Sequence, residues 1–433
     1  MTRHGRPTAL TRRGLIEASI VGAGALVAGG FSSWTQAERA PYSGKLLVTL
    51  QLEGGADVTQ LCDPKVNMPG ERKINYWADE RDPVKAGNIA YAPVALNERL
   101  FETFGERTLV VNGVDAQTNS HDTGKLYNFT GANTEGKPCL SALHAAAVAP
   151  SSPLSYVVFG GTTKTQGLIT FNRFDDLSMM KAIARPNQTP WGTVKRTSGI
   201  ETAERNIELA VEAELTQTHL TPRQRASLLR FQESRLRRSD LEALESVLPA
   251  DNELQPPGLK EQMQGALIAF KSGLTSTADI DLMGFDSHTY NDEEQEALLG
   301  TLTEGIEFFW EYAEKLELDD RILLVIGTDF GRTNFYNEGN GKDHWPIGSF
   351  MLMEKNASWG NRVVGYTDEL HFAQPINPIT LKRDPSGIVM TPAHVHRALQ
   401  DYLGISGFAE SIGLGLGDIP LLPIFDKDMS TDV

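Results

Sequence analysis

The stretch Arg321–Trp345, RILLVIGTDFGRTNFYNEGNGKDHW, decides the fold. Its first part, Ile322 to Ile326, is an unbroken apolar run of strand formers, the pattern of a strand buried on both faces of a parallel sheet. The run stops at Gly327, and Thr328, Asp329, Gly331 and Arg332 follow at once. A carboxylate and a guanidinium therefore stand at the carboxyl end of a strand, where open α/β sheets collect their ligands. A loop broken by Gly339 and Gly341 returns the chain to Asp343, His344 and Trp345. Asp329 and His344 are expected to meet over the sheet edge and help hold a divalent metal.

Working outward, other apolar runs end in the same way. Lys45 to Leu52 reads as a strand ending in Glu53-Gly54-Gly55-Ala56-Asp57, a glycine turn that delivers a carboxylate. Thr108 to Val111 leads through Asn112-Gly113 to Asn119-Ser120-His121-Asp122-Thr123-Gly124, and Tyr156 to Phe159 ends in Gly160-Gly161. Ala278 to Met283 is strand-like and ends in Gly284-Phe285-Asp286-Ser287-His288. Between it and the 322–326 run, Glu293 to Leu316 carries apolar residues at helical spacing, which makes a right-handed βαβ unit. The expected fold is α/β, a mostly parallel sheet sandwiched by helices. The charged, amphipathic stretch at about 202–257, closed by Pro249 and Pro256-Pro257, reads as a helical insertion.

Composition bounds the rest. At 433 residues, 40% of them hydrophobic, the chain can build one large domain, expected over 38–433. Residues 1–37 hold Arg12-Arg13, a weakly apolar Gly/Ala-rich run and a small residue at Ala37, the pattern of a twin-arginine export signal and so of a periplasmic or secreted protein. The run is shorter than the ~20 residues a span requires, so no membrane span is expected in the mature protein. The formal charge of −16 argues against nucleic acid as a partner and mildly against a polyanionic one. Two isolated cysteines, Cys62 and Cys139, make no zinc motif and leave buried thiols or a disulfide equally open.

In a parallel sheet the polar strand ends lie on one edge, so Asp57, Ser120 with His121, Asp286 with His288, and Asp329 with Arg332 can converge on one cleft. Asp286 and His288, spaced i, i+2, point to the same side of an extended chain and can ligate one ion together with His344. Mixed oxygen and nitrogen ligation suits zinc, manganese or iron better than calcium. The competing reading is that the aspartates cap helices and His288 is an ordinary loop residue. Arg332 is either an anion clamp or a structural ion-pair member. Ser120, Thr123 and Thr59 are nucleophile candidates, with Ser120 and His121 assigned to catalysis.

Taken in order, Leu-Glu-Gly-Gly-Ala-Asp (52–57), Ser-His (120–121), Gly-Phe-Asp-Ser-His (284–288), Thr-Asp-Phe-Gly-Arg-Thr (328–333) and Gly-Lys-Asp-His-Trp (341–345) resemble the exported proteins grouped as domain of unknown function 1501. That family is similar to the alkaline phosphatase and sulfatase superfamily, which implies an alkaline phosphatase-like sandwich and metal-dependent cleavage of phosphate or sulfate esters. The resemblance implies that Asp286, His288 and His344 hold a first metal, zinc or manganese, and that Asp57 and Asp329 serve a second. Phe330 stands where the superfamily has a histidine, and Ala56 where the family often has asparagine, so the second metal is doubtful. The expected substrate is a small anionic ester. The alternative is a non-catalytic secreted binding or surface-assembly protein on a degenerate hydrolase fold.

Overall fold

The apolar runs do form one sheet. The structure, a computed structural model, describes residues 42–427 apart from 186–187, 190–191, 194–196, 223, 226, 230 and 232–240. The export-signal expectation lies outside the described residues, as does part of the expected helical insertion. Strand Leu46–Glu53 is central, pairing in parallel with Thr277–Met283 on one side and Ile322–Thr328 on the other. Tyr156–Val158 and Asn172–Arg173 continue the parallel arrangement beyond Thr277–Met283. On the other flank Ile347–Glu354 runs antiparallel to Ile322–Thr328, and Thr108–Asp115 and Arg362–Val364 complete eight strands. The Thr108 strand runs to Asp115, past the Asn112-Gly113 pair expected to end it, because Ile347 and Gly348 pair with its last two residues.

Alternation along the central strand separates two cores. Leu46, Val48, Leu50 and Leu52 pack with helices Leu259–Lys271 and Asn291–Lys315 on one face. Leu47, Leu323 and Val325 pack with Leu140–Val148 and Pro392–Tyr402 on the other. Both faces are thus covered, as a mostly parallel sheet requires. Cys62 and Cys139 are buried free thiols, both pushed up to about 12 by burial, with Asp63 and Asp279 respectively adding to the effect. In the expected insertion, helices Ser198–Leu215 and Glu242–Val247 are present. Among the described residues no helix is long and apolar enough to cross a membrane.

One buried carboxyl interrupts the apolar packing. Asp279 accepts from Thr49 Oγ1 at 2.6 Å and from the hydroxyls of Ser141 and Tyr156. Burial pushes it up to about 6, and the hydroxyl donors offset only part of that. Because the folded value lies above the ordinary 3.8, the folded protein binds this proton more readily than the unfolded chain. Stability from this group is complete at low pH and is lost as pH rises from about 4 through about 6. Relative to Asp279→Asn, wild-type protein is therefore expected to gain stability as pH is lowered from about 7 to about 5 in denaturant titrations. A difference that does not change with pH contradicts this assignment.

Candidate metal centre at the carboxyl edge of the sheet

The glycine turn after the central strand sets the floor of the site. Gly54 and Gly55 have φ of +112° and +89°, and a Cβ on Gly54 would stand 2.5 Å from the backbone nitrogen of Asp286. Only glycine lets the turn after one strand lie directly beneath the turn after its neighbour. Phe285 N–H donates to Glu53 O at 3.1 Å, which fixes where Asp286 begins. Gly124 acts similarly, since a Cβ there would meet Asp329 O at 2.6 Å. Helix His121–Thr130 can therefore press its first turn against the end of strand Ile322–Thr328.

Three imidazoles converge on the carboxylate so placed. Asp286 Oδ1 lies 3.1 Å from His288 Nε2, 3.2 Å from His344 Nε2 and 3.4 Å from His121 Nε2. The Nε2 atoms of His288 and His344 are 3.0 Å apart. One donor atom each from His121, Asp286 and His344 lie within 4.8 Å of one another. The far side of every ring is tied to an acceptor. His121 Nδ1 donates to Asp329 Oδ2 at 2.6 Å, His288 Nδ1 to Asp343 Oδ1 at 2.8 Å, and His344 Nδ1 to the carbonyl of Asn119 at 2.7 Å.

These outer bonds determine the chemistry of the inner atoms. A carbonyl or carboxylate can only accept, so each Nδ1 carries a proton, and a ring that is neutral presents its Nε2 lone pair to the centre. Three lone pairs and a carboxylate oxygen facing one another repel unless a positive charge lies among them. Tetrahedral zinc with bonds of ~2.05 Å needs donors ~3.3 Å apart, and the separations of Asp286 Oδ1 from the three rings and of His288 from His344, 3.0 to 3.4 Å, lie around that value. The His121 Nε2 atom is buried and without a hydrogen-bond partner among the described residues, an orphan that a cation at this point would satisfy. The residues present thus fit a divalent metal held by His121, Asp286 and His344, with His288 Nε2 close to the last two of these.

The charges nearby keep Asp286 ionised but favour a proton on His121, which a bound metal would displace. Burial works to raise Asp286, but the hydrogen bond and charge of Arg332, with the His344 hydrogen bond, bring it down to about 2. The Asp329 hydrogen bond raises His121 above the ordinary imidazole value, and the His288 hydrogen bond lowers Asp343. Carboxylates that hold the distal nitrogen of a ligating histidine both fix the ring and raise its basicity.

Of the residues expected at the site, Asp286, His288 and His344 come together. Asp329 is beside them, but its Oδ2 holds His121 and its Oδ1 accepts from Gly54 N at 3.2 Å, so it orients a ligand candidate. His121, expected in catalysis, faces Asp286 with the other two rings. Ser120 is exposed as the N-cap of the site helix, and its hydroxyl makes no capping bond.

Two expectations are corrected. Asp57 is fully buried away from the three rings: it caps the turn Val58–Gln60 through Thr59 and pairs with Lys342 Nζ at 2.7 Å. Every oxygen it has is used, because Asn291 Nδ2 donates to Oδ2 at 3.1 Å and Thr59 Oγ1 to Oδ1 at 2.6 Å. Arg332, expected to clamp substrate, is also buried and committed. Its Nε donates to Gly55 O at 2.9 Å, its Nη1 to Lys342 O at 3.0 Å, and its Nη2 to Gly54 O and, at 2.7 Å, to Asp286 Oδ1. Phe330 fills the place of the absent histidine, its ring 4.7 Å from that of His121 and 4.6 Å from that of His344. The second metal set, Asp57 with Asp329, is not assembled.

The chain belongs to the family described as protein of unknown function (DUF1501), whose model matches residues 44–384. No curated protein matches the sequence. Among solved structures, it is similar to the alkaline phosphatase from the Antarctic bacterium TAB5, at 10% identity and a TM-score of 0.31, over 74% of this chain and 95% of that one. It is also similar to the lipoteichoic acid synthase LtaP from Listeria monocytogenes, at 10% identity and a TM-score of 0.34, over 84% of this chain and 72% of that one. A third is Ps i-CgsB, crystallised with k-i-k-neocarrahexaose, at 10% identity and a TM-score of 0.32, over 86% and 74% of the two chains. These likenesses are distant, and the reading of the site rests on its own side chains.

The buried pair beneath the site supports a direct test. Lys342→Met leaves Asp57 as an uncompensated buried charge and is expected to cost about 3–5 kcal/mol in a denaturant titration at neutral pH. Adding Asp57→Asn should recover part of that loss, because the two residues couple. If Lys342→Met unfolds at the wild-type denaturant concentration, the pair is not the strut described.

Proposed function

We propose that this chain is a metal-dependent hydrolase of phosphate or sulfate esters, exported by way of its twin-arginine start, with one divalent ion, zinc or manganese, held by Asp286, His121, His288 and His344. The observation that carries this reading is the inward convergence of three Nε2 lone pairs whose outer nitrogens are all anchored. Such an ion, when bound, polarises an ester oxygen and makes an attacking hydroxyl more acidic. The chain supplies the rest. Asp329, Asp343 and the Asn119 carbonyl orient the rings, and Arg332 steadies Asp286 against the glycine turn.

Ser120, exposed at the start of the helix that carries His121, is the nucleophile candidate, and the N-terminal end of that helix favours negative charge. With Arg332 committed, a cation on the rim is Lys125, one helical turn beyond His121, where it holds Glu53 Oε2 at 2.5 Å. It is assigned to the substrate anion. One observation favours the rival reading of a metal-holding binding protein: both Arg332 and Asp57 serve the scaffold.

Protein purified from a culture supplied with trace metals is expected to carry close to one divalent ion per chain by mass spectrometry. Asp286→Asn and His344→Ala should lose it, and Asp329→Ala should lower its affinity about 10- to 100-fold. Metal-loaded protein should cleave an aryl phosphate or aryl sulfate, with Ser120→Ala impaired in turnover and Lys125→Ala raised in KM. Retention of full metal by Asp286→Asn would overturn the site. A loaded protein silent on both ester classes would favour the binding role.

A further inference from the structure

A small internal cavity of about 10 Å³ lies where three elements meet. It is lined by Thr49 and Gln51 of the central strand, Asn128 of the helix that carries His121, Gly327 of strand Ile322–Thr328, and His396 of helix Pro392–Tyr402. That volume is about the least that admits one water molecule. Three of these residues are polar, almost wholly buried and incompletely bonded. Gln51 is 0%, His396 2% and Asn128 8% exposed. Gln51 Nε2, Asn128 Oδ1 and His396 Nδ1 are each without a hydrogen-bond partner among the described residues. Buried polar atoms left unpaired are costly, and three of them around one cavity call for a common partner.

The bonds already made fix what that partner is. Asn128 Nδ2 donates to Gln51 Oε1, which leaves the Gln51 amide nitrogen as a donor and Asn128 Oδ1 as an acceptor. Turning both amides end for end gives the same count, one donor and one acceptor. His396 Nε2 donates to the Asn128 carbonyl at 2.7 Å, because a carbonyl only accepts. Burial pushes His396 down to about 4, so its ring is neutral and its Nδ1 accepts. One donor and two acceptors match water, which gives two hydrogen bonds and takes up to two. A cation would face the amide N–H, and an anion would face two acceptors.

We infer that a single internal water molecule is bound among Gln51, Asn128 and His396, and that it pins the helix carrying His121 to the central strand and to helix Pro392–Tyr402. The proposal does not rest on the metal reading. High-resolution diffraction from crystals of the full purified protein should show one peak at about 2.7–3.2 Å from both amides and from His396 Nδ1. No peak there, with the two amides closed into a doubly bonded pair, overturns the proposal. A peak that scatters anomalously after the crystals are exchanged into rubidium marks a cation and overturns it as well. In solution, oxygen-17 relaxation dispersion should count one more long-lived water in the wild type than in Asn128→Leu, and equal counts contradict the site. Leucine is the better helix former, so propensity alone would tighten helix His121–Thr130 in that variant. Loss of the pin should instead speed exchange of the helix amides about 10-fold or more. Unchanged exchange overturns the pinning role. Should Asn128→Leu fail to fold, the wild-type map decides alone.

Discussion

Three imidazole nitrogens turned toward one carboxylate oxygen make an arrangement that positive charge among them, a metal ion or protons on the rings, would stabilise. The rest of the edge is built to impose it. Each ring is fixed from behind by an acceptor, and those acceptors come from three different loops: Asp329 after one strand, Asp343 in the returning loop, and the Asn119 carbonyl before the site helix. Free rings would turn to hydrogen-bond with water and relieve the repulsion. Rings held by Nδ1–H bonds to carboxylates and a carbonyl keep their lone pairs aimed inward.

The same edge uses charges as struts. Arg332 and Lys342 are both buried and paired with carboxylates of the chain. Arg332 joins the turns after two neighbouring strands through Gly54, Gly55 and Asp286, and it joins the returning loop through Lys342 O. Planar guanidinium with five donors is suited to bridging several oxygens at once, which an ammonium does less well.

Much of this was legible in the residues. The apolar runs 46–52, 278–283 and 322–326 with their glycine stops were enough to infer parallel strands, and a common direction then placed Asp286, His288 and His344 on one edge. The division of labour among the carboxylates was not legible. Whether an aspartate after a strand ligates, orients a histidine or caps a turn depends on its side-chain torsions over distances of a few ångströms, and Asp57, Asp286 and Asp329 take three different roles. Lys342 gave no signal, because its partner Asp57 is 285 residues away and a lysine between Gly341 and Asp343 reads as a surface residue. His121 was read with Ser120 as a catalytic pair, and only the register of the helix turns its ring toward Asp286. Phe330 was read as unable to ligate, and its ring packs beside two imidazoles that also touch each other.

Anomalous diffraction from crystals of protein purified with its native metal, recorded at the metal's absorption edge, tests the convergence most directly. A single strong peak is expected among His121 Nε2, His288 Nε2, His344 Nε2 and Asp286 Oδ1, at about 2.0–2.2 Å from each. No peak there, with the His288 and His344 rings rotated to hydrogen-bond water or each other, would contradict the metal centre.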